Sequence, residues 1–206
     1  MEIKPPEGQL KSKVVLLVEG NDEFNFFGHL LKKYGFSNTE IRVYSGKDNF
    51  PRILLGLKAD PGFQNVLSLG IVRDADTDAQ EAFKSVCGEL KGNKLTVPKA
   101  PFLSYGSNPK ITVAILPDGK SPGMIEDVCL QAVKDDTAMY CVEEYFKCLK
   151  NKSVALPKNM SKAKLQVFLG SKPETFLSIG VAAKNNYWPI NGPFKIIENF
   201  LTQVCT

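Results

Sequence analysis

The chain is poor in the residues that usually bind zinc. It has a single histidine, His29, among its 206 residues, and no two of its five cysteines have the Cys-x-x-Cys spacing. Structural zinc sites use four Cys or His ligands at characteristic spacings, so the sequence disfavours a zinc site of that type. An odd number of cysteines without such spacing also indicates no disulfide framework, and we expect five reduced thiols.

Long apolar runs are also absent. No run approaches the roughly 18–20 residues that a helix needs to cross a bilayer. Residues 1–13 are polar, contain two prolines and lack the apolar core of a signal peptide. We therefore expect no membrane segment and a cytoplasmic location.

The overall composition is that of a soluble globular protein. Hydrophobic residues make up 43% of the chain and charged residues 23%. Lys and Arg total 26 against 22 Asp and Glu, which gives a net charge of +4. This mildly basic balance permits a polyanionic partner such as nucleic acid but does not require one.

Apolar strand patterns alternate with helical patterns along most of the chain. Predicted strands lie at residues 14–18, 41–44, 66–72 and 111–116, with amphipathic helices between and after them. This order predicts an α/β fold with a mainly parallel sheet of about four strands flanked by helices. We expect an α/β domain over residues 1–150 and a helical C-terminal extension over 151–206 packed on it, or one domain over the whole chain.

Acidic residues follow two of the predicted strands. Glu19 comes directly after the first, and Asp74 and Asp76 come after the third. The carboxyl ends of parallel strands meet at one sheet edge, and residues two apart in an extended segment point the same way. Clustered carboxylates are favourable mainly around a cation, and oxygen ligands suit Mg²⁺ or Mn²⁺. The alternative is that these are solvated loop acids that cap the next helices, which fits Asp78 well.

The segments Leu17-Val18-Glu19-Gly20 and Asp74-Ala75-Asp76, in this order, resemble the Toprim domain. Topoisomerases, bacterial primases, recombination-mediator proteins and overcoming-lysogenization-defect (OLD) family nucleases share this metal-binding domain. The two segments cover roughly the first half of the chain. The whole chain resembles a family of compact Toprim-like proteins of prokaryotes that is related to the OLD-family nuclease domain.

The resemblance implies roles for particular residues. Glu19 would act as a general acid/base or metal ligand, and Asp74 and Asp76 would hold Mg²⁺. OLD-like nucleases also use a glutamate after a later strand, which Glu126 matches by context. The alternative for Glu126 is a favourable charge at the N-terminus of a helix.

The same nucleases use a lysine near the end of the domain. Lys162 or Lys164 matches it, and a lysine near a scissile phosphate could offset charge that builds up in the transition state. The alternative for both lysines is a solvated surface position. Arg73, just before the acid pair, could contact a phosphate or pair with a neighbouring acid.

The predicted function is Mg²⁺- or Mn²⁺-dependent phosphoryl transfer, as a nuclease acting on DNA or RNA. The chain has no GxxxxGK[ST] motif, so any ATPase partner would be a separate protein. A second hypothesis is a non-catalytic Toprim-like module that binds nucleic acid or protein, because a fold alone does not imply cleavage. A third is hydrolysis of a small phosphorylated metabolite.

Overall fold

The central sheet has four parallel strands. The computed structural model describes residues 8–174, 178–189 and 192–206. The strands are β1 (Val14–Val18), β2 (Thr39–Val43), β3 (Ser68–Asp74) and β4 (Lys110–Leu116), in the spatial order β2-β1-β3-β4. The predicted α/β class and four-stranded parallel sheet are confirmed. All four strands end at the same edge of the sheet, which we call the carboxyl edge.

Helices cover both faces of this sheet. Asp78 caps α3 as predicted, because its carboxylate accepts hydrogen bonds from the N–H groups of Gln80 and Glu81. One helix, α7, has no counterpart in the prediction, since six residues give too short a periodic pattern. The helices are α1 (Asn21–Lys33), α2 (Phe50–Ala59), α3 (Ala79–Gly92), α4 (Ile125–Ala132), α5 (Thr137–Asn151), α6 (Met160–Gly170), α7 (Ile179–Lys184) and α8 (Lys195–Cys205).

Alternate residues of β1 enter two different apolar layers. Leu16 and Val18 belong to a layer built with the apolar sides of α1, α4, α6 and α8. Val15 and Leu17 belong to the other layer, which α2 and α3 complete. Because both faces of the strand are buried, its residues are all apolar and do not alternate between apolar and polar.

Residues 151–206 contribute to the first of these layers. Phe168 of α6 and Phe200 of α8 are buried in it, and α8 packs on β3 and β4. No helix within the described parts of the chain is both long and apolar enough to cross a membrane. The prediction that no signal peptide is present concerns residues 1–13, of which 1–7 lie outside the described residues.

Gly70 in the middle of β3 determines how closely α8 approaches the sheet. A Cβ atom there would lie 2.8 Å from Leu16 Cδ1 and 2.9 Å from Val204 Cγ2, closer than carbon atoms normally approach. We expect Gly70→Ala to lower the free energy of unfolding by about 1–3 kcal/mol through overpacking. The measurement is urea-induced unfolding.

Gly88 is the matched control for this substitution. It is exposed on α3, and no atom lies within 4 Å of a Cβ placed there. Gly88→Ala should stabilise the protein by about 0.5–1 kcal/mol, because alanine favours the helix. A Gly70→Ala protein as stable as the wild type would contradict the close packing of α8.

Candidate functional site

Glu19 and Glu23 flank Gly20, where β1 leads into α1. β1 ends at Val18, Glu19 follows, and Gly20 precedes the first residue of α1. A Cβ atom at position 20 would lie 2.9 Å from Glu23 Oε2, so the Glu23 carboxylate rests against the Gly20 backbone. Glycine at this position therefore leaves space for the second acid to fold back toward the first.

Asp74 is fixed by the N-terminus of α4. It is the last residue of β3, and its Oδ1 atom accepts a hydrogen bond of 3.1 Å from the backbone N–H of Ile125. Glu126 follows in the first turn of α4. The same turn is held by Asp127, which accepts hydrogen bonds from the Met124 N–H at 2.8 Å and from the Ser161 hydroxyl at 2.6 Å.

Glu19, Glu23, Asp74 and Glu126 thus lie where β1 and β3 end and where α1 and α4 begin, and we call them the acid cluster. Burial raises the pKa of Asp74 well above its usual range, and the charges of the other three carboxylates raise it further. Burial is also the largest cause of the raised pKa of Glu23, to which the charges of Glu126 and Glu19 add. Burial likewise raises the pKa of Glu126. Burial and carboxylate repulsion thus both disfavour negative charge on these groups.

The donor atoms of the acid cluster suit a hard cation. The Glu126 side chain is only 13% exposed, and its Oε2 atom is buried without a hydrogen-bond partner among the described residues. The set consists of carboxylate oxygens, which Mg²⁺ and Mn²⁺ prefer. Within the described ranges, no three His, Cys, Asp or Glu side chains already stand in a metal-binding arrangement. The residues fit such a cation by chemistry and charge, and the side chains would have to converge on it.

Asp76 lies at the carboxyl edge but not on an extended strand. β3 ends at Asp74, and Asp76 has a left-handed backbone with a φ of +53°. Its backbone exchanges two hydrogen bonds with Gly123, and its exposed carboxylate lies 3.7 Å from Lys47 Nζ. The alternation argument that aligned Asp76 with Asp74 therefore does not apply beyond the end of β3, and its role as a metal ligand stays a prediction.

The structure separates the two candidate lysines. Lys162 Nζ lies 3.7 Å from Glu126 Oε1, so its ammonium group borders the acid cluster. Lys164 Nζ instead binds Glu143 of α5, at 2.6 and 2.8 Å from its two carboxylate oxygens. Two positions along α6 rotate the side chain by about 200°, which directs the two lysines to different neighbours.

Tyr44 lies buried beside the cluster. Its hydroxyl donates a hydrogen bond of 2.8 Å to the carbonyl of Val72 and lies 3.5 Å from Glu19 Oε2. Burial is the largest cause of its strongly raised pKa, and the Glu19 charge adds to it. The phenol is therefore neutral, and it supports Glu19 from the side of α2.

Sequence reasoning did not identify Glu23 and Tyr44 as site residues. The signal for Glu23 is its position four residues after Glu19 with glycine between them, in the first turn of the helix. The signal for Tyr44 is weaker, since a tyrosine after a short strand is common in any α/β protein.

Comparison with known proteins identifies one family. The family model described as "protein of unknown function (DUF3226)" matches residues 13–206. No curated protein and no solved structure matches the chain.

Proposed function

This chain belongs to the DUF3226 family, and from its acid cluster we propose that it is a Mg²⁺-dependent phosphoryl-transfer protein, a nuclease that acts on DNA or RNA. One observation carries the proposal. Asp74 ends β3 at the carboxyl edge of a parallel sheet, its Oδ1 atom accepts from the N-terminus of α4, and Lys162 Nζ lies 3.7 Å from Glu126 in the first turn of that helix. The charges of Glu23, Glu126 and Glu19 add to the effect of burial in raising the pKa of Asp74. Ligand sites of open α/β sheets lie at this edge. The sequence resemblance to Toprim domains supports the same reading.

Each residue has a distinct task in this proposal. Asp74, Glu23 and Glu126 would hold the cation, with Glu19 as a further ligand or as the base that accepts a proton from the attacking water. A bound Mg²⁺ would polarise the phosphoryl oxygen and lower the pKa of water. Lys162 would donate to a phosphate oxygen as negative charge builds up there.

The burial of the site also has a chemical role. Asp74 and Glu126 are largely shielded from water, so a phosphate at this edge would interact with the charged groups in a medium of low dielectric constant. The Tyr44 hydroxyl lies 3.5 Å from Glu19 Oε2 on the other side. The proposal includes a cytoplasmic location, where nucleic-acid substrates are found.

The test is cleavage of labelled DNA and RNA oligonucleotides with Mg²⁺, with Mn²⁺ or with EDTA. We expect cleavage with either metal and none with EDTA. Nucleic-acid binding that EDTA does not change, without cleavage, would contradict the proposal and indicate a binding module. Phosphate release from small phosphomonoesters alone would also contradict it.

Lys162→Ala and Lys164→Ala form a matched pair of variants on one helix. Lys162→Ala should slow cleavage about 10²-fold, because one positively charged donor to the transition state is lost. Lys164→Ala should cleave at the wild-type rate, since its side chain is engaged with Glu143. The measurement is the single-turnover rate of oligonucleotide cleavage, and equal rates for the two variants would rule out the assigned role of Lys162.

A further inference from the structure

Arg73 is a buried cation without a described partner. It lies on β3 next to Asp74 but faces the opposite layer, on the same side as Leu69 and Ile71. Arg73 as a whole is only 7% exposed. Its Nε atom has no hydrogen-bond partner in the part of the chain that the structure describes, and no carboxylate there lies within ion-pair distance of it. The expected alternative of a pair with a neighbouring acid is therefore not formed among these residues.

A guanidinium N–H that is buried without a hydrogen-bond partner, as Arg73 Nε is, is costly. Removing a charged group from water without a partner disfavours the folded state, and arginine cannot escape this cost by losing its proton. Its planar group of N–H donors matches the oxygens of a phosphate. The partner expected for Arg73 is therefore the anion of a bound ligand and not a carboxylate of this chain.

Arg73 lies beside the acid cluster because it directly precedes Asp74 on β3. The Tyr44 hydroxyl donates to the carbonyl of Val72, the residue before Arg73, and lies 3.5 Å from Glu19 Oε2. In keeping with this placement, burial raises the pKa of that hydroxyl most, the charges of Glu19 and Asp74 raise it further, and the Arg73 charge lowers it. An anion bound by Arg73 would lie close to, but not within, the acid cluster.

Lys47 provides a second positive charge at this part of the edge. It follows the turn after β2, in which the Gly46 N–H donates to the Glu19 carbonyl at 3.3 Å. Its side chain is 57% exposed and its ammonium nitrogen lies 3.7 Å from Asp76 Oδ2, so it is available to a ligand. An ion pair this long and exposed contributes little to stability.

We propose that Arg73 and Lys47 bind a phosphate of the substrate that neighbours the phosphate being cleaved. This inference rests on the proposed nuclease function and adds a substrate class to it. The site would take a nucleic-acid strand, with at least two phosphates engaged, in preference to a molecule with one phosphate.

The experiment measures binding of a fluorescein-labelled single-stranded DNA by anisotropy, in Ca²⁺ and in EDTA, over a range of salt concentrations. Arg73→Met should bind about 10- to 100-fold more weakly, as expected for a lost charge-assisted contact. The slope of log K against log salt should become shallower by about 0.7, the value for one phosphate contact in a single strand. Lys47→Ala should weaken binding by a smaller factor, and Lys84→Ala, an exposed position on α3, should not change it.

Thermal unfolding of the same variants distinguishes a ligand role from a structural one. Arg73→Met should unfold close to the wild-type temperature, because the described residues form no hydrogen bond or ion pair with this side chain that the substitution would remove. A large loss of stability would mean that the guanidinium has a structural partner and would overturn the inference.

The remaining outcomes separate this inference from the proposed function. Wild-type binding of Arg73→Met and Lys47→Ala, together with metal-dependent cleavage by the wild type, would overturn only the inference. Weakened binding by both variants without any cleavage would support the phosphate site and contradict the nuclease. Absence of wild-type binding in both Ca²⁺ and EDTA would overturn the inference as well.

Discussion

Asp74→Asn should strongly slow metal-dependent cleavage and at the same time raise the unfolding temperature of the metal-free protein. Asparagine keeps the shape of the side chain and an oxygen that can accept the Ile125 N–H, but it removes the charge. The lost charge is one that burial and the carboxylates of Glu23, Glu126 and Glu19 all disfavour. We expect a gain of about 1–3 kcal/mol, which corresponds to about 2–4 °C for each kcal/mol in a chain of this size.

The same substitution should reduce the cleavage rate about 10³-fold, because the charge that a cation requires at the end of β3 is missing. Opposite changes in stability and activity are typical of a site whose charged groups destabilise the ligand-free protein but are needed to bind the ligand. The measurements are differential scanning calorimetry in EDTA and oligonucleotide cleavage in Mg²⁺.

Asp76→Asn is the control for the stability measurement. Its carboxylate is exposed and pairs only loosely with Lys47, so its removal should change stability by less than about 0.5 kcal/mol. If Asp74→Asn proved less stable than the wild type in EDTA, the burial of a repelled charge at this position would be refuted.

The stability of the metal-free protein should fall as the pH rises, and saturating Mg²⁺ should reverse this fall. The folded state raises the pKa of Asp74, Glu23 and Glu126 above the unfolded values of about 4. Groups shifted in this direction bind more protons in the folded than in the unfolded state, so the slope of the unfolding free energy with pH is negative. The contribution of these groups to the free energy of unfolding is complete below about pH 4, and it is lost as the pH rises through their raised pKa values.

A cation bound among these carboxylates replaces the protons. Mg²⁺ at 100 times its dissociation constant should add about 2.7 kcal/mol to the unfolding free energy at neutral pH, and less in acid, where protons compete. The measurement is thermal unfolding between about pH 5 and 8 with Mg²⁺ or with EDTA. Asp74→Asn should show a weaker dependence on both pH and Mg²⁺. An unchanged unfolding temperature on addition of Mg²⁺ at neutral pH would argue against the cation site.

The sheet could be predicted because its strands are buried on both faces. An uninterrupted apolar run such as Val14–Val18, followed at once by an acid, indicates both the strand and its end. The parallel order then places Glu19 and Asp74 at one edge without any knowledge of their contacts. The strand order alone does not place Glu126, which only the resemblance indicated. Its carboxylate lies at this edge because α4 begins beside Asp74.

The details that sequence reasoning could not provide depend on single backbone angles and helix orientations. The left-handed conformation of Asp76 ends the strand geometry that would align it with Asp74. The choice between Lys162 and Lys164 depends on how α6 is rotated against α4 and α5. Glu23 folds back because Gly20 has no side chain, which is a contact that no periodic pattern reveals.

The hydrogen bond between Asp127 and Ser161 makes the position of Lys162 depend on the helix that follows residue 151. It joins the first turn of α4 to the first turn of α6, so Glu126 and Lys162 keep their separation only while both helices are present. A fragment that stopped at residue 150 would lack the ammonium group and expose the apolar side of α4. The arrangement of Glu126 and Lys162 therefore depends on residues from both sides of position 150.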